Sequence, residues 1–217
     1  MATQDSNNGA GRQPISPAVR RRLQLQFEQG SKVAAKGDFD YATNMFLACV
    51  KGDPGNSIYV QNYLGNLRRK YGNNKKGDKL AAIKMTGTKG SLKKAAMQKN
   101  YAAVIENGVE LLQLNPWDTS TLSSLAEACE HLELDKAQLD YLNAALEADI
   151  TDGEINRLAG RAKARQGMFE EAIVCFTRVL KASPGDIEAK KAIADLTVEK
   201  TIKKGGYENA ESSQDVR

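Results

Sequence analysis

GSKVAAKGDFDYATNMFLACVKGDPGN, residues 30–56, lies over GRAKARQGMFEEAIVCFTRVLKASPGD, residues 160–186, at a constant offset of 130. Gly30, Gly37, Phe39, Ala42, Phe46 and Pro54 match Gly160, Gly167, Phe169, Ala172, Phe176 and Pro184. Between the two stretches, Pro116, Ile150 and Pro184 stand 34 residues apart, and Pro54 precedes Pro116 by 62. A period of 34 marks a helix-turn-helix repeat. Such a unit cannot bury its apolar face alone, so it stacks on its neighbours.

Working outward, Ser16 followed by Pro17 is a helix start: serine caps free amides and proline fits the first turn. The first helix is expected from Pro17 to about Lys36, Gly37 and Asp38 break it, and a second runs from Phe39 to Lys51. Residues 119–152 continue the pattern with Leu122, Leu125, Ala126, Leu139, Leu142, Ala145 and Leu146, although Ile150 replaces the closing proline. The remaining unit is interrupted. Its first helix is expected at Ser57 to Tyr71 and its second at Asn100 to Leu114, with about 28 extra residues between them. Short helical pieces fit Asp78 to Lys84 and Ser91 to Gln98, separated by Thr86, Gly87, Thr88, Lys89 and Gly90. After Pro184 a final amphipathic helix places Ile187, Ile193, Leu196 and Ile202 on or near one side, and Gly205 and Gly206 are expected to stop it.

This pattern resembles the tetratricopeptide repeat. The resemblance covers about residues 17–185 apart from the insertion. It implies an all-α, right-handed superhelical array, an α-solenoid, in which small residues of paired helices face each other: Gly30 with Ala42, and Gly160 with Ala172. Phe46 and Phe176 fill the large apolar site of the second helix, while Gln138 departs from the small residue expected at its place. The expected organisation is a leader at 1–15, repeats at 17–56, 57–118 with a basic insertion at 72–99, 119–152 and 153–186, a capping helix at 186–204, and a disordered tail at 205–217. The abrupt ending leaves open that the chain is a fragment of a longer protein.

Of 217 residues, 41% are hydrophobic and 27% charged, ordinary for a globular chain. No stretch approaches the roughly 20 apolar residues of a membrane span, and the polar start lacks a secretory signal's apolar centre, so a cytoplasmic location is the expectation. Cys49, Cys129 and Cys175 are widely spaced and read as small buried apolar residues. The net charge of +4 conceals a polarised chain: residues 68–99 carry 11 Lys/Arg against Asp78 alone, residues 100–217 carry 13 against 21 acids, and residues 1–67 carry 7 against 5.

Catalysis finds little support. His131 is the only histidine, and the spacing of Gly72 and Gly77 is followed by Asp78 and Lys79 where a phosphate loop needs lysine and Ser/Thr. No cofactor or metal is called for. Two constellations remain. The first is the insertion, where Lys75, Lys76, Lys79, Lys93 and Lys94 are candidates for an anion-binding patch toward nucleic acid, acidic protein or anionic lipid, or else a solvated loop that balances the acidic repeats. Leu80, Ala81, Ile83, Met85, Leu92, Ala95, Ala96 and Met97 are candidates to dock its helical pieces.

The second constellation follows from the resemblance, in which the first helix of each unit lines a concave groove. Arg157, Arg161 and Arg165 recur every four residues on one helix stripe. Asn62, Arg68 and Arg69, with Glu127, Glu130 and His131, are expected nearby. Arginine forks bind carboxylates directionally, which implies an acidic or extended segment of a partner protein as ligand; the alternative is that these arginines pair with acids of a neighbouring repeat. The family's clamp for chaperone C-termini is disfavoured, since Phe27, Ser31, Ser120 and Ser124 stand at its places and only Asn62 matches. Phe27, Tyr59, Tyr63, Tyr71 and Trp117 are either peptide anchors or packing residues. The expected role is a non-catalytic adaptor, with a nucleic-acid-associated protein as the alternative.

Overall fold

A computed structural model describes residues 15–212, with side chains to residue 203. The leader and the last five residues lie outside it. The described residues form eleven helices and no strand: α1 (Pro17–Ala35), α2 (Phe39–Gly52), α3 (Ser57–Lys70), α4 (Ala81–Lys84), α5 (Thr86–Met97), α6 (Tyr101–Leu112), α7 (Thr119–His131), α8 (Asp135–Ala148), α9 (Gly153–Arg165), α10 (Phe169–Ala182) and α11 (Ile187–Ser212). They fall into two compact units, divided between Ala148 and Asp149.

Helix starts follow local chemistry. Ser16 Oγ accepts from Val19 N at 3.3 Å, and Asp38, Asn56, Asn100, Asp118 and Asp152 cap α2, α3, α6, α7 and α9 in the same way. The expected breaks also appear. Gly37 and Gly167 turn the chain with φ of +86° and +70°, values that favour glycine because a Cβ would crowd the carbonyl. Lys99 and Glu133, each at φ +55°, occupy the equivalent turn 68 and 34 residues before Gly167.

In the first unit α1 packs on α2, α2 on α3, α5 on α6, α6 on α7 and α7 on α8, and α3 also meets α8. This differs from the expected partnership of Ser57–Tyr71 with Asn100–Leu114. Helix α6 packs on a helix from the expected insertion as well as on α7, and that inserted helix begins at Thr86, covering the five residues read as a separator. Two glycines and two threonines make 86–90 a poor helix by propensity. Packing overrides it: Ala81, Met85 and Leu92 form one buried cluster with Leu111, against which Leu114 lies. Half of the expected docking residues do dock, whereas Leu80, Ile83, Ala96 and Met97 stay exposed.

Each glycine expected to face a small residue also lies under an aromatic ring. A Cβ on Gly160 would stand 2.8 Å from Phe176 Cε2, and one on Gly30 would stand 3.1 Å from Phe46 Cε1. Ala42 and Ala172 are fully buried beside them. A further close approach joins α6 to α7, where Gly108 would set a Cβ 2.7 Å from Leu125 Cδ2. Tyr63 is buried with its hydroxyl donating to Val109 O at 2.5 Å, and Trp117 is buried beneath Lys75, so both pack rather than project. Phe27 lies between Phe46 and Tyr59, at centroid distances of 5.6 and 5.3 Å. The three cysteines are buried and form no disulfide, and burial pushes the Cys49 thiol up to about 11.

In the second unit α9 packs on α10 and α10 on α11. Ala189 and Leu196 seal Ala172, Phe176 and Val179, with Ile193 alongside. Ile187 and Ile202, expected on that same side, are instead 81% and 68% exposed. The reason is angular: at 100° per residue Ile187 stands opposite Leu196. Helix α11 continues through Gly205 and Gly206 to Ser212, since glycine weakens a helix without forbidding it.

Candidate functional site

In the first unit α1 and α3 leave a cleft of about 380 Å³. Its α1 wall is made of small side chains, Ser31, Ala34 and Ala35; its α3 wall is Asn62, Gly65 and Arg69. No atom lies within 4 Å of where a Cβ on Gly65 would point, so the glycine opens the wall rather than admitting a neighbouring helix.

Asn66 borders the cleft one turn after Asn62. Its amide donates to Phe39 O and Thr43 Oγ1, both at 2.9 Å, which fixes the side chain between α2 and α3. The residue is 4% exposed, yet its Oδ1 has no hydrogen-bond partner. A buried acceptor left unpaired costs about 1–3 kcal/mol. Arg69 is exposed on the rim and makes no ion pair among the described residues. Asn62 donates to Ile58 O at 2.8 Å along its own helix, which leaves its carbonyl oxygen outward. The cleft therefore offers a rim cation and a narrow path between small residues, with Asn66 at its border.

The other expected groove residues are dispersed. Arg68 Nη1 holds Glu147 Oε2 of α8 at 2.7 Å, in a second, smaller cleft bordered by Gln61 and Asp140. His131 stacks on Tyr101, with centroids 4.1 Å apart and planes 13° apart, beside a third cleft that includes Lys51 and Pro54. Glu127 is exposed on α7. In the second unit Arg157 binds Asp186 at 2.9 Å, Glu188 at 3.2 Å and Glu154 at 3.5 Å. Arg161 binds Glu188 at 2.5 Å, and Arg165 has interactions of its own. Of the two readings left open for this stripe, Arg157 and Arg161 follow the second, being paired with acids of the chain itself. Asn62 and Arg69 alone, of the nine groove candidates, share the α1–α3 cleft.

Sequence reading missed Asn66, Gly65 and Ser31 as wall and floor. The available signal was Asn66 itself, an amide adjoining Leu67 in the apolar register of α3.

The lysine candidates lie on a separate surface. Lys75 sits over the Trp117 ring at 5.8 Å, Lys76 and Lys79 border a cleft with Asp78 and Asp118, and Lys93 and Lys94 are exposed on α5. Two neighbours are neutralised: Lys84 by Asp78 at 3.0 Å and Lys89 by Asp118 at 2.7 Å. Among the described residues no cluster of three His, Cys, Asp or Glu could hold a metal, and no helix is long and apolar enough to cross a membrane.

No protein-family model and no curated protein matches the chain. Solved structures do. The first tetratricopeptide-repeat domain of Spaghetti (RPAP3), bound to the HSP90 peptide SRMEEVD, has a TM-score of 0.51 over 58% of this chain and 98% of that one, at 19% identity. The tetratricopeptide-repeat domain of P58(IPK) has a TM-score of 0.56 over 89% and 69%, at 15% identity. At such identities what is shared is the fold, and it is the fold of the tetratricopeptide-repeat proteins.

Proposed function

We propose that the chain is a non-catalytic protein-interaction module whose α1–α3 cleft holds an extended, acid-bearing segment of a partner protein. The fold is one typically used for protein–protein interaction. The observation that carries the assignment is the cleft between the small α1 side chains and α3, with exposed, unpaired Arg69 on its rim: an extended main chain fits between the walls, and a ligand carboxylate would meet Arg69. A side chain on the α1 wall larger than serine or alanine would narrow the path of a main chain. That a domain of this fold holds SRMEEVD supports acid-bearing peptides as a class. Arg157 and Arg161 drop out of the site, because a ligand would first have to displace Asp186 and Glu188. The chaperone-clamp reading stays disfavoured on the residues at its places.

No observation favours the nucleic-acid reading. The cluster offers no exposed aromatic for base stacking.

The test is binding of the full chain to an array of extended acidic heptapeptides, SRMEEVD among them. Charge-assisted hydrogen bonds contribute about 1.5–3 kcal/mol, so Arg69→Gln is expected to weaken retained peptides by about tenfold or more. Gly65→Leu is expected to block them while leaving the fold intact, since its side chain enters open space. Retention unchanged by both substitutions would remove the cleft from consideration.

A further inference from the structure

The layer formed by α4 and α5 has two sides. Its inner side is the buried cluster of Ala81, Met85 and Leu92 on Leu111. Residues two positions from these, or from buried Ala95, point the opposite way, because two steps along a helix rotate the side chain by about 200°. Ile83 follows Ala81 by two, Gly90 and Lys94 flank Leu92 by two, and Met97 follows Ala95 by two. They therefore share the outer side of the layer.

That outer side is unusual in two respects. Met97 and Ile83, 78% and 75% exposed, are the most exposed large apolar side chains described in the first unit, and Leu80 is 54% exposed. Water-facing apolar residues of this size, Ile83 on α4 and Met97 at the end of α5, gain nothing from the fold. Second, Lys93, two positions before buried Ala95, and Lys94 make no ion pair among the described residues, and neither do Lys76, Lys79 and Lys99 in the flanking segments. Gly87 and Gly90 add no bulk, with open space where their Cβ atoms would be, so a flat surface could approach the helix closely.

We propose that this layer docks on anionic lipid surfaces, with Ile83 and Met97 entering the headgroup–acyl boundary and the free lysines lying at the level of the anionic headgroups. The combination decides between polyanions. Nucleic acid rewards arginine forks and stacked aromatics, neither of which this surface presents, and offers exposed aliphatic side chains little. A bilayer rewards both features present: apolar side chains partition into it, and lysine ammonium groups remain hydrated at the interface on flexible stems. Each lysine near such a surface strengthens binding about fivefold, an effect that fades beyond a Debye length. The surface is separate from the α1–α3 cleft, and the proposal does not rest on the peptide-binding reading.

Sedimentation of the full chain with vesicles of phosphatidylcholine, with or without phosphatidylserine, tests it. Binding is expected only with phosphatidylserine and is expected to weaken as salt rises. Lys93→Gln with Lys94→Gln is expected to weaken it about twenty-five-fold, two lysines' worth. Ile83→Ser with Met97→Ser is expected to weaken it several-fold, and Arg69→Gln to leave it unchanged. All five positions are exposed, and circular dichroism melts report whether the variants stay folded. Absence of phosphatidylserine-dependent binding overturns the proposal. So does vesicle binding by the folded serine variant equal to that of the parent, or tight single-stranded RNA binding that this variant retains in full, which would assign the lysines to nucleic acid.

Discussion

Arg157 of α9 holds Asp186, at the start of α11, at 2.9 Å, and Asp186 in turn accepts from Ala189 N at 2.8 Å. One carboxylate thus caps the last helix and ties it to α9, across the intervening α10. The hydrogen bond from Arg157, followed by that from Ala189 N, holds the Asp186 carboxyl below the usual carboxylate range and raises the Arg157 guanidinium.

A carboxylate whose pKa is lower in the folded state binds fewer protons there than in the unfolded state, so its contribution to stability is present above the unfolded value. It is lost as pH falls through the folded one. Asp186→Asn is therefore expected to melt below the parent at neutral pH, with the gap closing as pH drops below about 4. Thermal melts of both proteins across the acid range check this. A gap that stays constant would mean that the charge of Asp186 contributes nothing.

Gly160 and Gly65 are both helical glycines, and the structure assigns them opposite consequences. Alanine at Gly65 meets nothing within 4 Å and recovers the helix propensity that glycine forfeits, so Gly65→Ala is expected to stabilise by about 0.5–1 kcal/mol. Alanine at Gly160 meets the Phe176 ring at 2.8 Å in a buried site. The overpacking cost of about 1–3 kcal/mol exceeds the propensity gain. Urea denaturation of the two single variants should move in opposite directions.

The period of 34 and the matched glycines were enough to read all-α hairpin repeats, because they mark where chains turn and where helices touch. What escaped was α5. Thr86, Gly87, Thr88 and Gly90 carry no local helical preference, and the residues that compel a helix, Leu111 and Leu114, lie far along the chain. The same limit governed the site. Arg157, Arg161 and Arg165 show a binding stripe in one dimension, and only three-dimensional neighbours reveal that Asp186 and Glu188 already fill part of it. Conversely, Asn66 reads as one more polar helix residue until its oxygen is found buried and unpaired.

Lys99 and Glu133 adopt the left-handed turn that Gly167 occupies in the last hairpin. A side chain in that conformation costs about 1 kcal/mol or more, and glycine avoids the cost. Neither residue forms part of the hydrophobic core, so Lys99→Gly and Glu133→Gly are each expected to stabilise by a few tenths to about 1 kcal/mol, after the entropy that glycine adds to the unfolded chain. Gly167→Ala is expected to lose stability by a similar amount. Denaturant midpoints at unchanged m-value check all three, and a destabilised Glu133→Gly would mean that its side-chain interactions outweigh the backbone strain.

Asp140 of α8 presents the opposite sign from Asp186. Its Oδ1 accepts from Gln61 Nε2 of α3 at 2.8 Å, but its Oδ2 is buried without a partner. Burial raises its pKa, and hydrogen bonds from Ser57 and Gln61 offset only part of that rise. The folded state then binds more protons than the unfolded state between the two pKa values, so stability falls as pH rises through that interval and stays at the lower level above it. Asp140→Asn keeps an oxygen for Gln61 and removes the buried charge. Its expected signature is a flatter dependence of stability on pH just above the ordinary aspartate value, and at neutral pH a stability, relative to the parent, higher than the same comparison gives in acid. Urea titrations of both proteins at pH values on either side of about 4 measure this; a relative stability of Asp140→Asn that drops as pH rises would show that the ionised carboxylate is favoured between α3 and α8.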